Sequence, residues 1–118
     1  VLAQRLVRKL CAFCREAYEP LPELVNQLHL PHAAGAPTLY RPRGCAHCRG
    51  GYRGRVGVFE FLPLTDEIRR LVLSHATAHD IHRVGAAEGM CSMYDDGIAK
   101  AIAGVTSIEE VLRVTRDI

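Results

Sequence analysis

The 118-residue sequence contains no tryptophan and few other aromatics, three Phe and four Tyr. Its core must therefore be built mostly from Leu, Val, Ile and Ala. No apolar run approaches the roughly 20 residues that a membrane-spanning helix needs, and no signal-peptide pattern is present. The cysteines number five. An odd count without a secretory leader disfavours a secreted disulfide framework and favours a reducing cytoplasm. The formal charge of +2 is too small to imply a nucleic-acid partner. There is no G-x-x-x-x-G-K-[ST] loop, no G-x-G-x-x-G after a strand and no His-Glu-x-x-His pair. Initiating Met is also missing: the chain opens on Val1-Leu2-Ala3, already in periodic apolar sequence, as expected of a piece of a longer protein. An apolar fraction of 48% with 24% charged residues suits a folded globular chain rather than a disordered one.

What is present is two Cys pairs, Cys11-Ala12-Phe13-Cys14 and Cys45-Ala46-His47-Cys48, separated by the thirty residues from Arg15 to Gly44. A two-residue gap lets both sulfurs of a tight turn face one ion. Four converging thiolates make a closed tetrahedral site, the structural zinc arrangement, with Zn–S bonds of about 2.3 Å. Cys11, Cys14, Cys45 and Cys48 are thus expected to hold one zinc per chain; two disulfides or four free thiols are the alternatives. His47 lies inside the second pair, but four sulfurs already close the shell. Four bound thiolates and one zinc would bring the net charge near zero.

The fold class read from the pattern is α+β. Residues 1–10 suggest the tail of a helix running into a short strand. Pro22 opens a helix to Leu30 with Leu24, Val25 and Leu28 on one face, ended by Pro31. Residues 32–37 read as loop, Thr38 to Arg41 as a strand, Gly50 to Arg55 as turn, and Val56 to Leu62 as the best strand. Pro63 closes it. Four helices follow. Thr65 caps the first, through Ser74, with Ile68, Leu71 and Val72 facing inward. Thr77 and Asp80 open the second, which Gly89 ends. The third runs from Met93 to Ala103 and stops at Gly104. The fourth starts at Thr106 or Ser107, with Ile108, Val111, Leu112 and Val114 for burial. The expected division is a zinc-stapled α/β subdomain over residues 1–63 and a four-helix subdomain over residues 64–118. A module of about 60 residues rarely gains more than a few kcal/mol from its core alone. A structural zinc adds on the order of 10–16 kcal/mol of apparent binding energy, which is folding energy.

Arg41, Arg43, Arg49, Arg53 and Arg55 crowd into fifteen residues with no acid among them. This is a solvated face, a protein interface or a phosphate surface; with only Tyr40 and Tyr52 interleaved, a base-stacking platform is weakly supported. His75, His79 and His82 read as surface or helix-end residues, and Cys91 as a small packed residue. No catalytic constellation is present.

These residues carry a resemblance. Ala3-Gln4-Arg5-Leu6-Val7-Arg8-Lys9-Leu10-Cys11-x-x-Cys14 resembles the start of the metal-binding segment of the type II secretion ATPases and the related type IV pilus assembly ATPases. Gly44-Cys45-x-x-Cys48 followed by Gly51-Tyr52-Arg53-Gly54-Arg55-Val56-Gly57-Val58-Phe59-Glu60 is similar to that family's second Cys pair and the strand after it. Asp96 to Lys100 and Gly104 to Thr115 resemble its tail. Ala12 replaces a frequent Pro, Gly50 a usual Thr, and Met90 to Met93 is unusual; none is a ligand position. The resemblance implies the C-terminal part of a hexameric ATPase on the cytoplasmic face of the inner membrane, with ATP and Mg²⁺ bound in an upstream domain. Such a machine passes its motion to an inner-membrane platform protein that assembles a pseudopilus or pilus. This segment would supply structural zinc and contact surface, with Arg53 and Arg55 as interface residues, and no hydrolysis.

Two other classes use similar cysteine spacing. A rubredoxin-like electron carrier has glycine after each pair where this chain has Arg15 and Arg49, and would be red rather than colourless. A zinc-ribbon nucleic-acid module rests on the arginines alone and would bind with steep salt dependence.

Overall fold

The computed structural model describes residues 1–31 and 37–115, and the loop expected over residues 32–37 lies outside the described residues except for Pro37. The architecture is α+β, as the pattern predicts. Strand β1 (Leu2–Leu10) pairs antiparallel with β4 (Tyr52–Phe61). A second small sheet pairs β2 (Glu16–Tyr18) with β3 (Leu39–Arg41), also antiparallel. Helix α1 (Pro22–Gln27) lies between β2 and β3 in the chain. Helices α2 (Asp66–Leu73), α3 (Ala78–Ala87), α4 (Met93–Ile102) and α5 (Ile108–Thr115) follow the long ribbon.

The opening residues form one nine-residue strand, not a helix tail. The reason is pairing at long range: Leu2 lies opposite Phe61 and Val7 opposite Val56, so the conformation is set by a segment fifty residues away. Strand β4 likewise starts at Tyr52, four residues before the expected Val56. Between Arg8 and Leu10 the ladder shifts, so that Arg53 and Gly54 together oppose Lys9. Gly54 has φ +81°. A left-handed glycine at an extra residue is a β-bulge, which lets the strand continue through turn-like sequence. Helix α1 stops at Gln27, short of the expected Leu30.

The helix starts follow their side chains. Thr65, Thr77 and Ser92 each accept a hydrogen bond from the backbone N–H three residues on, at Ile68, Asp80 and Asp95. Each such cap contributes about 1 kcal/mol. In α2 only Ile68 is fully buried, while Leu71 is half-buried and Val72 exposed, because the helix packs chiefly on α3.

Two apolar clusters hold the elements together. Val25, Leu30 and Leu39 pack with Ile98, Ala101, Ile108 and Val111. Val7 and Val58 pack with Met93 and Val114. Each cluster joins residues from both sides of Pro63. Helices α4 and α5 approach closely at Gly97, where a Cβ would lie 2.7 Å from Val111 Cγ1. The ribbon's other face leaves Leu2, Leu6, Phe59 and Phe61 exposed.

The free edge of β1 is covered by the segment that leads into α5. Leu10 N–H donates to the Val105 carbonyl (2.9 Å), Thr106 Oγ1 to the Arg8 carbonyl (2.8 Å), and Arg8 N–H to Glu110 Oε1 (2.7 Å). An edge strand otherwise exposes unpaired backbone groups. On the β4 side, Phe59 N–H donates to Asp96 Oδ2 at 2.8 Å.

Candidate metal centre

Cys11 sits where β1 ends, fully buried, and its N–H donates to the Gly51 carbonyl at 2.8 Å. Cys14 follows one turn later, tied by Arg15 N–H to the Cys11 carbonyl (3.0 Å). The Arg15 side chain donates to the Gly104 carbonyl (2.6 Å) and lies over the Tyr40 ring, anchoring the first knuckle to the end of α4. The second knuckle, Cys45 to Cys48, faces it, with the rings of Phe13 and His47 4.8 Å apart.

The four sulfurs lie within 4.8 Å of one another. Cys11 to Cys45 and Cys14 to Cys48 are 3.7 Å, and Cys45 to Cys48 is 3.6 Å. A tetrahedron with metal–sulfur bonds of about 2.3 Å has sulfur–sulfur edges of about 3.8 Å. The separations fit that figure and are far from the roughly 2.05 Å of a disulfide. None of the four is in a disulfide. Backbone donors already point at two of them: Gly44 N–H at Cys14 Sγ (3.3 Å) and His47 N–H at Cys45 Sγ (3.4 Å).

Crowding splits the titration of the second pair. The His47 N–H alone would lower Cys45, but desolvation and hydrogen bonds with Cys48, Cys11 and Cys14 outweigh it, and the thiol is pushed up to about 12. Desolvation would raise Cys48, yet contacts with the backbone at Cys45 and Gly51 and with the Cys45 and Cys14 thiols bring it down to about 7. Four thiols this close cannot all ionise unaided; a cation among them replaces their protons. The set can hold a metal ion, and four sulfur ligands would fill a tetrahedral shell.

Gly51 carries the turn that brings the second knuckle back to β1. Its φ is +96°, and a Cβ would lie 2.3 Å from Pro42 Cβ and 2.9 Å from Arg43 N. Gly51→Ala should therefore destabilise the chain by at least about 2 kcal/mol and loosen the metal. Gly50→Ala, at φ +61° with nothing within 4 Å of the added Cβ, should cost about half as much. Melting curves of the two variants check this, and coincident midpoints would refute it.

Of the crowded arginines, Arg41 lies 4.1 Å over the Tyr18 ring and Arg43 pairs with Glu16 at 3.3 Å. Arg49, Arg53 and Arg55 are exposed and make no ion pair among the described residues. His82 pairs with Glu60 (2.6 Å), and no second metal-ligating cluster occurs among the described residues. Cys91 is exposed rather than packed; desolvation and the carboxylates of Asp95 and Asp96 push its thiol up. The residue that sequence reasoning missed is Glu110, which lies in the fourth expected helix beside the residues assigned to burial. It is buried, 2% exposed, and receives both Arg113 (3.0 Å) and Arg8 (3.2 Å). Its spacing before Val114, on the apolar face of α5, is the signal that marks it.

Comparison with known proteins is consistent along the whole chain. The type II/IV secretion system protein family model matches residues 1–113. The type II secretion system protein E of Xanthomonas campestris is 45% identical over 119 residues, and that of Pseudomonas aeruginosa 44% over 118. The type IV pilus assembly ATPase PilB of Pseudomonas aeruginosa is 38% identical over 118 residues. Each alignment covers 99% of this chain but only 21–23% of the relative, so the chain spans about a fifth of the length of the curated relatives it matches. This chain belongs to the type II/IV secretion system protein family.

Proposed function

We propose that the chain is the C-terminal part of a hexameric ATPase that powers type II protein secretion through pseudopilus assembly. Its share of the work is a structural zinc site and contact surface. ATP and Mg²⁺ bind elsewhere in the parent, since this sequence has no phosphate loop. The observation that carries the reading is the whole-chain family match joined to a cluster of four cysteine sulfurs within 4.8 Å of one another. The type II branch is favoured over the pilus branch by the higher identity to the secretion proteins. Zinc is favoured among metals by the all-sulfur, tetrahedral donor set.

Contact surface is supported by the exposed apolar face of the ribbon, Leu2, Leu6, Phe59 and Phe61, and by the exposed Arg53 and Arg55 on β4, which make no ion pair among the described residues. Apolar patches of this kind mark interaction sites. The partners are other copies in the hexamer and an inner-membrane platform protein, which would hold the parent at the cytoplasmic face. No described helix is long and apolar enough to cross a membrane.

Disrupting the parent in its own host should abolish secretion of extracellular enzymes. Loss of pili with secretion intact would assign it to the pilus branch instead. Charge reversal of Arg53 and Arg55 in the full-length protein should lower hexamer yield or stimulated ATP turnover several-fold. Unchanged oligomer size and turnover would remove the interface role.

A further inference from the structure

The arginines around the second knuckle raise a separate question of charge, which rests on the zinc reading above. One zinc ion and four thiolates leave a net charge of −2 at a centre where three of the four cysteines are only partly buried. Between Arg41 and Arg55 the chain supplies five arginines and no acid. Arg41 and Arg43 are engaged by Tyr18 and Glu16, and Arg55 lies on the ribbon opposite Arg8. Arg49 and Arg53 remain. Together with His47, Tyr52 and Cys48 they line a shallow hollow of about 400 Å³ against the second knuckle, and no acid lines it.

We infer that Arg49 and Arg53 are the counter-charges of the metal centre, and that they hold the ion by offsetting the dianion behind Cys48. Two guanidinium groups carry +2, equal and opposite to the tetrathiolate. Arginine suits the task because it is never deprotonated, so its charge beside Cys48 is permanent. The same arithmetic weighs against reading the hollow as a phosphate site. An incoming phosphate would meet guanidinium charge already offset by the centre at its back. Arg53 then serves both metal and interface, while Arg49 and Arg55 separate the two roles: Arg49 for metal retention, Arg55 for assembly.

The test is the rate at which the zinc-loaded chain releases its metal to a chromogenic chelator. Arg49→Gln and Arg53→Gln should each speed release about 3- to 10-fold at low ionic strength. The difference should nearly vanish in about 1 M salt, where charges are screened beyond roughly 3 Å. Arg49→Lys, which keeps the charge, should release within about twofold of the parent sequence. Parental rates in both glutamine variants at low salt would overturn the inference, as would Arg49→Lys matching Arg49→Gln. Saturable binding of inorganic phosphate to the zinc-loaded chain, lost in both variants, would assign the pair to an external anion. A chain that takes up no zinc would instead fail the underlying metal reading.

Discussion

Chelating the metal, or replacing Cys45 by serine, is expected to unfold the excursion between the two knuckles and to weaken the helical half with it. Cys14 and Cys45 bracket thirty residues whose regular elements, among the described residues, are β2, α1 and β3, three, six and three residues long. Elements so short do not persist alone. Their fixed points are the sulfur cluster at one end and the burial of Val25, Leu30 and Leu39 against α4 and α5 at the other. Each fully buried Leu or Val contributes about 1.5–3 kcal/mol, and the ordering cost of thirty residues exceeds that by a wide margin. Metal binding, on the order of 10–16 kcal/mol, is the largest single contribution towards that cost. Without it, one cluster loses three of its seven buried members. The β1–β4 ribbon, packed through Val7, Val58, Met93 and Val114, is expected to survive longer. Hydrogen exchange should then show rapid loss of protection at Leu39 to Arg41 and slower loss at Val56 to Val58. One zinc per chain by elemental analysis is the matching stoichiometry. Identical spectra and melting midpoints before and after chelation would refute the staple.

The parts of this arrangement that could be read from sequence are those that depend on near neighbours. Thr65 and Thr77 are threonines ahead of apolar-periodic runs, and each caps its helix as such a residue should. The cysteine pairs are legible because two sulfurs three residues apart already form half a site. What was not legible depends on distant partners. Leu2 and Leu6 break the alternation expected of a half-buried strand because their side of the ribbon is uncovered. With that signal gone, only the pairing to β4 reveals β1. Gly54 read as turn because glycine in a strand is rare outside a bulge, and a bulge is what it forms. Cys91 was taken as packed by residue type alone, and it stands exposed. Glu110 was hidden by its neighbour: of the adjacent Glu109 and Glu110, one faces solvent and the other enters the core. The edge of β1 required an acceptor at that point.

Glu110 should accordingly be among the most sensitive positions outside the cysteines. Its carboxylate accepts the Arg8 backbone N–H, the Arg8 guanidinium and a two-pronged contact from Arg113, so it locks α5 to β1, the strand that leads into Cys11. Burial would raise its pKa; the hydrogen bonds from Arg113, from the Arg8 side chain and from the Arg8 N–H override that effect and lower it to about 2 from an ordinary 4.5. At about 1.4 kcal/mol per pH unit the interval corresponds to about 3 kcal/mol. That is a ceiling, since the two arginine side chains are 54% and 55% exposed and water screens them. Because the folded value is depressed, the stabilisation is complete above about pH 4.5 and is lost as pH falls towards 2. Glu110→Gln, which keeps an acceptor for Arg8 N–H but not the charge, should cost about 2 kcal/mol at pH 7. Glu110→Leu, which leaves that N–H without an acceptor, should cost about 3–5 kcal/mol. The decisive measurement is the stability difference between the parent sequence and Glu110→Gln, followed from pH 7 to pH 2.5. Acid also strips thiolate-bound metal, but it does so in both proteins and cancels in the difference. The gap should hold steady to about pH 5 and then close. A gap that stays constant to pH 2.5 would show that Glu110 acts through its shape alone, and that its charge does not anchor α5 to β1.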